Sequence, residues 1–298
     1  MAAYASHSAS CAASSSDDDS RCLLLALSHD ALGVIVDGLA DPLQPVVAVA
    51  LSSTCLGLRT PLGAALEVLK ERHEKAAALC RKLSCKSCAE VRGAEELRGI
   101  DPLVADDMAT FGMILRTNGL PRLQELYLGF NDFGDAGMQA LCKGLGRGAA
   151  PSLRTLSLAH NNFGPAGAEA LAAALRRGAM PKIEILLIGN PIGNQGVAAL
   201  AAPLRKMPAL IRLVLLGQCG IGDDGVASLV DNLGKDDFKA LEILHLGHNQ
   251  ITDAGVAKLL AALDAGGMKL VNAILLEENP ASAVAVEAVK AALAKRSH

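Results

Sequence analysis

Residues 123–145 read LQELYLGFNDFGDAGMQALCKGL, and residues 153–175 read LRTLSLAHNNFGPAGAEALAAAL. The two stretches share one register. Leu123, Leu126, Leu128, Asn131, Phe133, Gly134, Gly137, Leu141 and Leu145 return as Leu153, Leu156, Leu158, Asn161, Phe163, Gly164, Gly167, Leu171 and Leu175. The pattern recurs with substitutions about Asn190, Cys219, Asn249 and Asn279, in steps of 30, 29, 29, 30 and 30 residues counted from Asn131. Repeats of this length predict a solenoid, in which each unit buries its apolar face only against its neighbours.

Within a unit the apolar period changes partway. Leu126 and Leu128 are two apart, which turns both side chains to one face of a short strand. Met138, Leu141 and Leu145 are three and four apart, the stripe of a helix. Asn131 falls at the strand end, where its amide can bond the turn backbone, and stacked copies would form a ladder. Cys219 takes that place in the fourth unit, and a thiol is a weaker partner. Gly134, Gly164, Gly193 and Gly222 suit positive φ or close chain approach. Asp135, Asp223 and Asp253 sit at helix starts and are expected to act as caps rather than as metal ligands or catalysts. Between Pro181 and Asn190 one residue is missing relative to the first two units. Two registers fit there, with either Ile185 and Leu187 or Leu186 and Ile188 facing the core.

Parallel strands stack about 4.8 Å apart and helices about 8–10 Å apart, so the stack must curve with its strands inside. The expected fold is α/β: a right-handed horseshoe solenoid, parallel strands concave and helices convex, preceded by a small all-α segment. The pattern closely resembles ribonuclease-inhibitor-type leucine-rich repeats over residues 120–298. Six registers fall in that span, the last a cap in which Val286, Val289 and Leu293 continue the stripe with charge at its margins. Residues 95–119 read as an amino-terminal cap half-repeat with a degenerate strand, since Leu103, Met108, Phe111 and Leu115 match Phe133, Met138, Leu141 and Leu145.

Composition narrows the function. The net charge of −3 offers no broad electrostatic case for nucleic acid. No apolar run free of charge reaches membrane-spanning length, and no signal-peptide core is seen, so no membrane partner is expected. Eight irregularly spaced cysteines then imply reduced thiols and a cytoplasmic protein, with the nucleus as an alternative. Residues 1–20, rich in Ala, Ser and Asp, are expected to be a disordered tail.

Residues 22–92 have helical patterning without the repeat. Pro42 and Pro45 separate the first helix from the next, and Pro61 is expected to open a helix running to about Leu83. Leu27, Asp30, Leu32, Ile35, Leu39, Asp41, Pro42, Leu51, Ser52 and Leu58 resemble an F-box, a helical motif that docks on the Skp-type adaptor of cullin ubiquitin ligases. Ser28 stands where that family usually has Pro, and no Trp follows the serine. The resemblance implies adaptor contacts at Leu32, Ile35, Leu39 and Pro42; a plain helical cap is the alternative. His73, Cys80, Cys85 and Cys88 raise a zinc reading through Cys85-Lys-Ser-Cys88, but one CxxC pair is half of what zinc usually takes, and free thiols are the expectation.

No nucleotide-binding or nucleophile motif is present, and the repeat polar residues are accounted for by ladders, caps and solvent. A non-enzymatic protein without cofactor is expected. What structure leaves unexplained is the open strand face. Its central column is expected to be Tyr127, Ser157, Leu186, Leu215, His245 and Leu275. Glu125, Thr155, Leu213 and Ile243 flank it on one side, and Gly129, Ala159, Gly217, Gly247 and Glu277 on the other. Leu213, Leu215, Ile243 and Leu275 around His245 would form an apolar patch for a protein partner. The alternatives are β-propensity alone, or cover by the chain's own amino-terminal segment. The function expected is a protein-interaction scaffold, with an F-box-like substrate receptor as its finer form. A small-GTPase regulator, by analogy with Ran GTPase-activating proteins, is the rival, and a fragment of a nucleotide-binding immune receptor a third reading.

Overall fold

A buried aliphatic residue between two outward ones recurs seven times, and each occurrence makes a short strand: β1 (Glu96–Arg98), β2 (Glu125–Tyr127), β3 (Thr155–Ser157), β4 (Ile185–Leu187), β5 (Arg212–Val214), β6 (Ile243–His245) and β7 (Ala273–Leu275). The computed structural model describes residues 35, 39–53, 56–215 and 219–296, and their side chains except those of 51–62. The expected tail over residues 1–20, together with Leu27, Asp30, Leu32 and Gly217, lies outside the described residues.

The strands pair in parallel in chain order as one sheet. Leu97, Leu126, Leu156, Leu186, Leu213, Leu244 and Ile274 align across it. All seven are buried. The first strands are joined by α4 (Ala105–Thr117), α5 (Gly134–Gly144) and α6 (Pro165–Arg176). Later connections are α7 (Gly193–Arg205), α8 (Asp223–Val230) and α9 (Asp253–Asp264), and α10 (Ala283–Arg296) closes the stack. Each helix packs on the next through its apolar stripe. This is the right-handed α/β repeat solenoid expected for parallel strands with helical crossovers.

The segment read as a half-repeat has a strand of its own, since β1 pairs with β2 and Leu97 joins the leucine column. Capping lies farther upstream. The helix α2 (Leu56–Lys82) begins five residues before Pro61, so Pro61 lies inside the helix and does not open it. Its carboxy-terminal part and α3 (Cys88–Gly93) bury Ala76, Leu79, Leu83 and Val91 in the same core as Leu97 and Leu103. Asp41 is buried in this cap. Its carboxylate accepts from Arg92 at 2.5 Å, Asn118 Nδ2 at 2.8 Å and the Leu43 N–H at 2.9 Å. The chain divides into two units, Asp41–Gln44 with Arg72–His298, and Met1–Ala40 with Pro45–Glu71. In the smaller unit α1 (Val46–Ser53) contributes Ala48 to a cluster with Ala40 and Leu69.

Three sets of side chains tie repeat to repeat. The asparagine ladder forms as expected: Asn249 Nδ2 donates to the carbonyls of Leu215 and Leu246, and Oδ1 accepts from the Ile221 N–H. Asn131, Asn161, Asn190 and Asn279 make bonds of the same kind. Cys219 keeps the donor bond, Sγ to the Ile188 carbonyl at 3.2 Å, and the Asn190 N–H faces its sulfur.

The acidic caps act one repeat farther on than their sequence position suggests. Asp135 Oδ1 accepts from the Gly164 and Gly167 N–H groups at the start of α6, at 2.8 and 2.7 Å. Asn194 does the same for Gly222, Asp223 for Thr252 and Gly255, and Asp253 for Ser282. Pro165 occupies this position in the second unit and can make no such staple. At the other helix ends, Arg177 donates to the carbonyls of Cys142 and Leu145, Arg205 to those of Ser228 and Leu229, and Arg296 to that of Gly267. Of the glycines read as loop hinges, Gly134 and Gly193 adopt φ near +60°, whereas Gly164 and Gly222 are extended.

Burial pushes the Asp223 carboxyl up, but the Thr252 hydroxyl and the N–H groups of Thr252 and Gly255 outweigh it and hold it below 3.8. A depressed folded-state value stabilises the protein above the unfolded value and is lost as pH falls through the folded one. Asp223→Ala should therefore lower stability at neutral pH by about 0.5–2 kcal/mol in a urea melt. The gap to wild type should close as pH drops below about 4. Identical melts at pH 7 would show that the staple carries nothing.

Candidate functional site

Two outward columns flank the buried leucines of the sheet. One runs Glu96, Glu125, Thr155, Ile185, Arg212, Ile243 and Ala273; the other runs Arg98, Tyr127, Ser157, Leu187, Val214, His245 and Leu275. Tyr127, Ser157, Ile243, His245 and Leu275 thus face outward as expected. Leu186, Leu213 and Leu215 do not: they are core residues, 0, 0 and 1% exposed.

The cause is a pair of compensating loop changes. Asn131 lies five positions after Leu126, Asn190 four after Leu186, and Cys219 six after Leu213. Counting back from the asparagine position therefore slips the strand by one residue, and a slip of one exchanges the two faces. The correct signal was upstream. Ile183, Leu186 and Ile188 repeat the three-then-two spacing of Leu123, Leu126 and Leu128, and so do Leu210, Leu213 and Leu215. Read forward from the entry aliphatic, the register needs no adjustment. It gives the face Leu187, Val214 and Arg212, which the sequence reading missed.

The corrected face has distinct regions. At β1 and β2, the Tyr127 hydroxyl donates to the Glu125 carboxylate at 2.6 Å, which pushes the phenol's pKa up. The Arg98 guanidinium lies 4.2 Å from the centre of the Tyr127 ring and pairs with Glu96. On the rim above, Phe130 is 83% exposed and stacks on His160 with ring centres 4.6 Å apart. At β6 and β7, His245 Nδ1 accepts from the Gly247 N–H at 3.4 Å, and Nε2 lies 3.1 Å from Glu277 Oε1. Between them Ile185, Leu187, Val214 and Ile243 are part-exposed, and Leu275 is exposed. Polar groups on this face are largely paired with one another, while its centre is aliphatic. Such a surface is suited to burying apolar side chains rather than to moving protons.

The amino-terminal candidates separate. Leu32 lies outside the described residues, Ile35 is helical and part-exposed, and Leu39 is exposed. Pro42, expected to contact an adaptor, is instead buried in the solenoid's cap, with its carbonyl 2.7 Å from His73 Nδ1. Leu39 and Pro42 belong to different units.

That bond also engages one zinc candidate. Cys80 Sγ and Cys88 Sγ are 3.5 Å apart, while Cys85 Sγ faces the Leu83 carbonyl at 3.5 Å. Among the described residues no three metal-ligating side chains converge. All three thiols are buried, and burial, with the Cys88 contact, pushes Cys80 to about 12. No described helix is long and apolar enough to cross a membrane.

A family model described as a leucine-rich repeat matches residues 120–142, 149–172 and 240–260. Each match covers a strand, its loop and the start of a helix, so the protein carries leucine-rich repeats in the sheet register described above. No curated protein matches in sequence. Among solved structures, a Bacteroides fragilis protein aligns with 75% of this chain and 69% of its own at 15% identity and a TM-score of 0.44. The Arabidopsis receptor kinase HAESA, solved in complex with the peptide hormone IDA and the co-receptor SERK1, aligns at 15% identity and a TM-score of 0.30. That alignment covers 68% of this chain and 37% of the receptor.

The register makes a direct prediction. Leu213→Ser should cost at least about 2–5 kcal/mol in a denaturant melt through loss of buried volume. The adjacent Val214→Ser should change stability by no more than about 0.5 kcal/mol. The opposite order would place Val214 in the core.

Proposed function

We propose that this protein is a non-enzymatic interaction scaffold that holds a partner protein on its strand face. The supporting observation is the aliphatic stripe of Ile185, Leu187, Val214 and Ile243, with Leu275 on the last strand beyond His245, left open beside the paired groups around Tyr127 and His245. Burying each such side chain contributes about 1.5–3 kcal/mol, offset by the ordering costs of association. Arg212 at the edge of the stripe is exposed and makes no ion pair among the described residues, so it supplies a charged contact beside the apolar ones. The unit length and helical outer layer favour the ribonuclease-inhibitor subtype of repeat. The five described cysteines are all free, in keeping with a cytoplasmic or nuclear protein.

A finer reading makes the smaller unit an adaptor-docking module. Its support is the exposure of Val46, Val47 and Val49 on α1, at 73, 55 and 50%. Pull-down with a Skp-type adaptor tests it, and loss of capture in a Val46→Asp/Val47→Asp variant is the expected result. Failure of the wild-type chain to retain the adaptor would remove the F-box reading. The small-GTPase alternative rests on fold likeness alone.

For the strand face, Leu187→Asp/Ile243→Asp should keep the wild-type melt while losing partners recovered by in-cell crosslinking of the full chain. Unchanged recovery from a folded variant would move the binding site elsewhere.

A further inference from the structure

The helix carboxy-terminal edge of the first repeats has a charge pattern unlike the rest of this mildly acidic chain. From residue 116 to 182 the sequence holds Arg116, Arg122, Lys143, Arg147, Arg154, Arg176, Arg177 and Lys182 against Glu125, Asp132, Asp135 and Glu169. Glu125 lies on strand β2, Asp132 and Asp135 at the loop leading into α5 and its first turn, and Glu169 in the amino-terminal half of α6. The cations gather at the opposite end.

Four of them, Arg116, Lys143, Arg147 and Arg177, line one cleft of about 410 Å³ between the ends of α4 and α5. Glycine contacts build that cleft. A β-carbon on Gly144 would collide with the Gly112 carbonyl, and one on Gly112 with the carbonyl of Ala140. Only backbone-to-backbone packing here brings the two helix ends, and so Arg116 and Lys143, around one opening. A second cleft on the same edge gathers Arg122, Arg154 and Lys182, where Glu95 and Glu184 neutralise the two arginines. Among the described residues Arg116, Lys143, Arg147, Arg176 and Lys182 form no ion pair.

Complementing the helix dipoles explains some of this charge, but not all. Arg177 already serves the carbonyls of Cys142 and Leu145. Arg147 and Lys182 stand in loops beyond the last turns of α5 and α6. We propose that this basic edge is a second docking surface, distinct from the strand face, which takes a carboxylate-rich segment of a partner protein. The clefts favour that occupant over nucleic acid because no aromatic side chain lines either one to stack on bases. They favour it over a compact phosphate because the first is floored by helix carboxy-terminal ends, whereas tight phosphate sites present helix amino-terminal N–H groups. Arginine and lysine arms hold carboxylates clear of that carbonyl floor, and cations spread over two clefts suit an extended chain.

The test is fluorescence anisotropy of a labelled deca-glutamate peptide titrated with the full-length protein at low salt. Saturable binding is expected, weakened about tenfold or more by Arg116→Glu/Lys143→Glu/Arg147→Glu and steeply by added salt. Two variants outside this edge serve as controls. Lys258→Glu/Lys269→Glu/Lys290→Glu, the same charge change on the last repeats, should weaken binding no more than about twofold. Leu187→Asp/Ile243→Asp should bind the peptide like wild type, which separates this surface from the strand face. Circular dichroism confirms that each variant is folded. Absence of saturable binding, an equal loss in the control triple, or tighter binding of oligothymidylate of equal charge would overturn the proposal.

Discussion

Every repeat of this solenoid contains a loop that turns from strand to helix over a packed interior. The unit's own asparagine reaches some backbone groups of that loop, but others find partners only in a neighbouring unit, and a buried unpaired group costs about 1–3 kcal/mol. The asparagine ladder removes this cost by spanning neighbours. In Asn249 one amide donates to carbonyls of two adjacent repeats and accepts an N–H from the loop alongside. No repeat can satisfy its loop alone, so the units fold as an array. The acidic and arginine staples extend this dependence to both ends of the helices. Where Cys219 replaces asparagine the donor bond survives; where Pro165 replaces the acidic residue a staple is missing.

These ties also decide where free chemistry remains. Asp135, Asp223 and Asp253 are consumed by backbone N–H groups, Arg177 and Arg205 by helix carbonyls, and Asp41 by Arg92 and Asn118. Two groups of side chains on the larger unit stand outside these ties. One is the aliphatic centre of the strand face; the other is the unpaired cations of the opposite helix edge. They differ in the partner chemistry they fit.

Legibility in the sequence followed the physics of each element. Helices were plain because their stripes span three turns and tolerate small errors in phase. The buried leucine column was plain wherever the loop length was constant. The face of β4 and β5 was misread because loops one residue short and one residue long preserve the overall period while reversing the strand. Asp41 and Pro42 resembled a docking motif, and in the structure they anchor the solenoid's cap through contacts 51 and 31 residues away in sequence.

The sequence by itself determined the repeat, its period, the strand and helix of each unit and the asparagine ladder, because all of these are encoded by local spacing. Tertiary structure alone decided which helix each acidic residue caps and where the cations collect. Those outcomes depend on how one repeat stacks on the next: backbone groups separated by about thirty residues compete for the same side chains, and no local pattern records which of them wins.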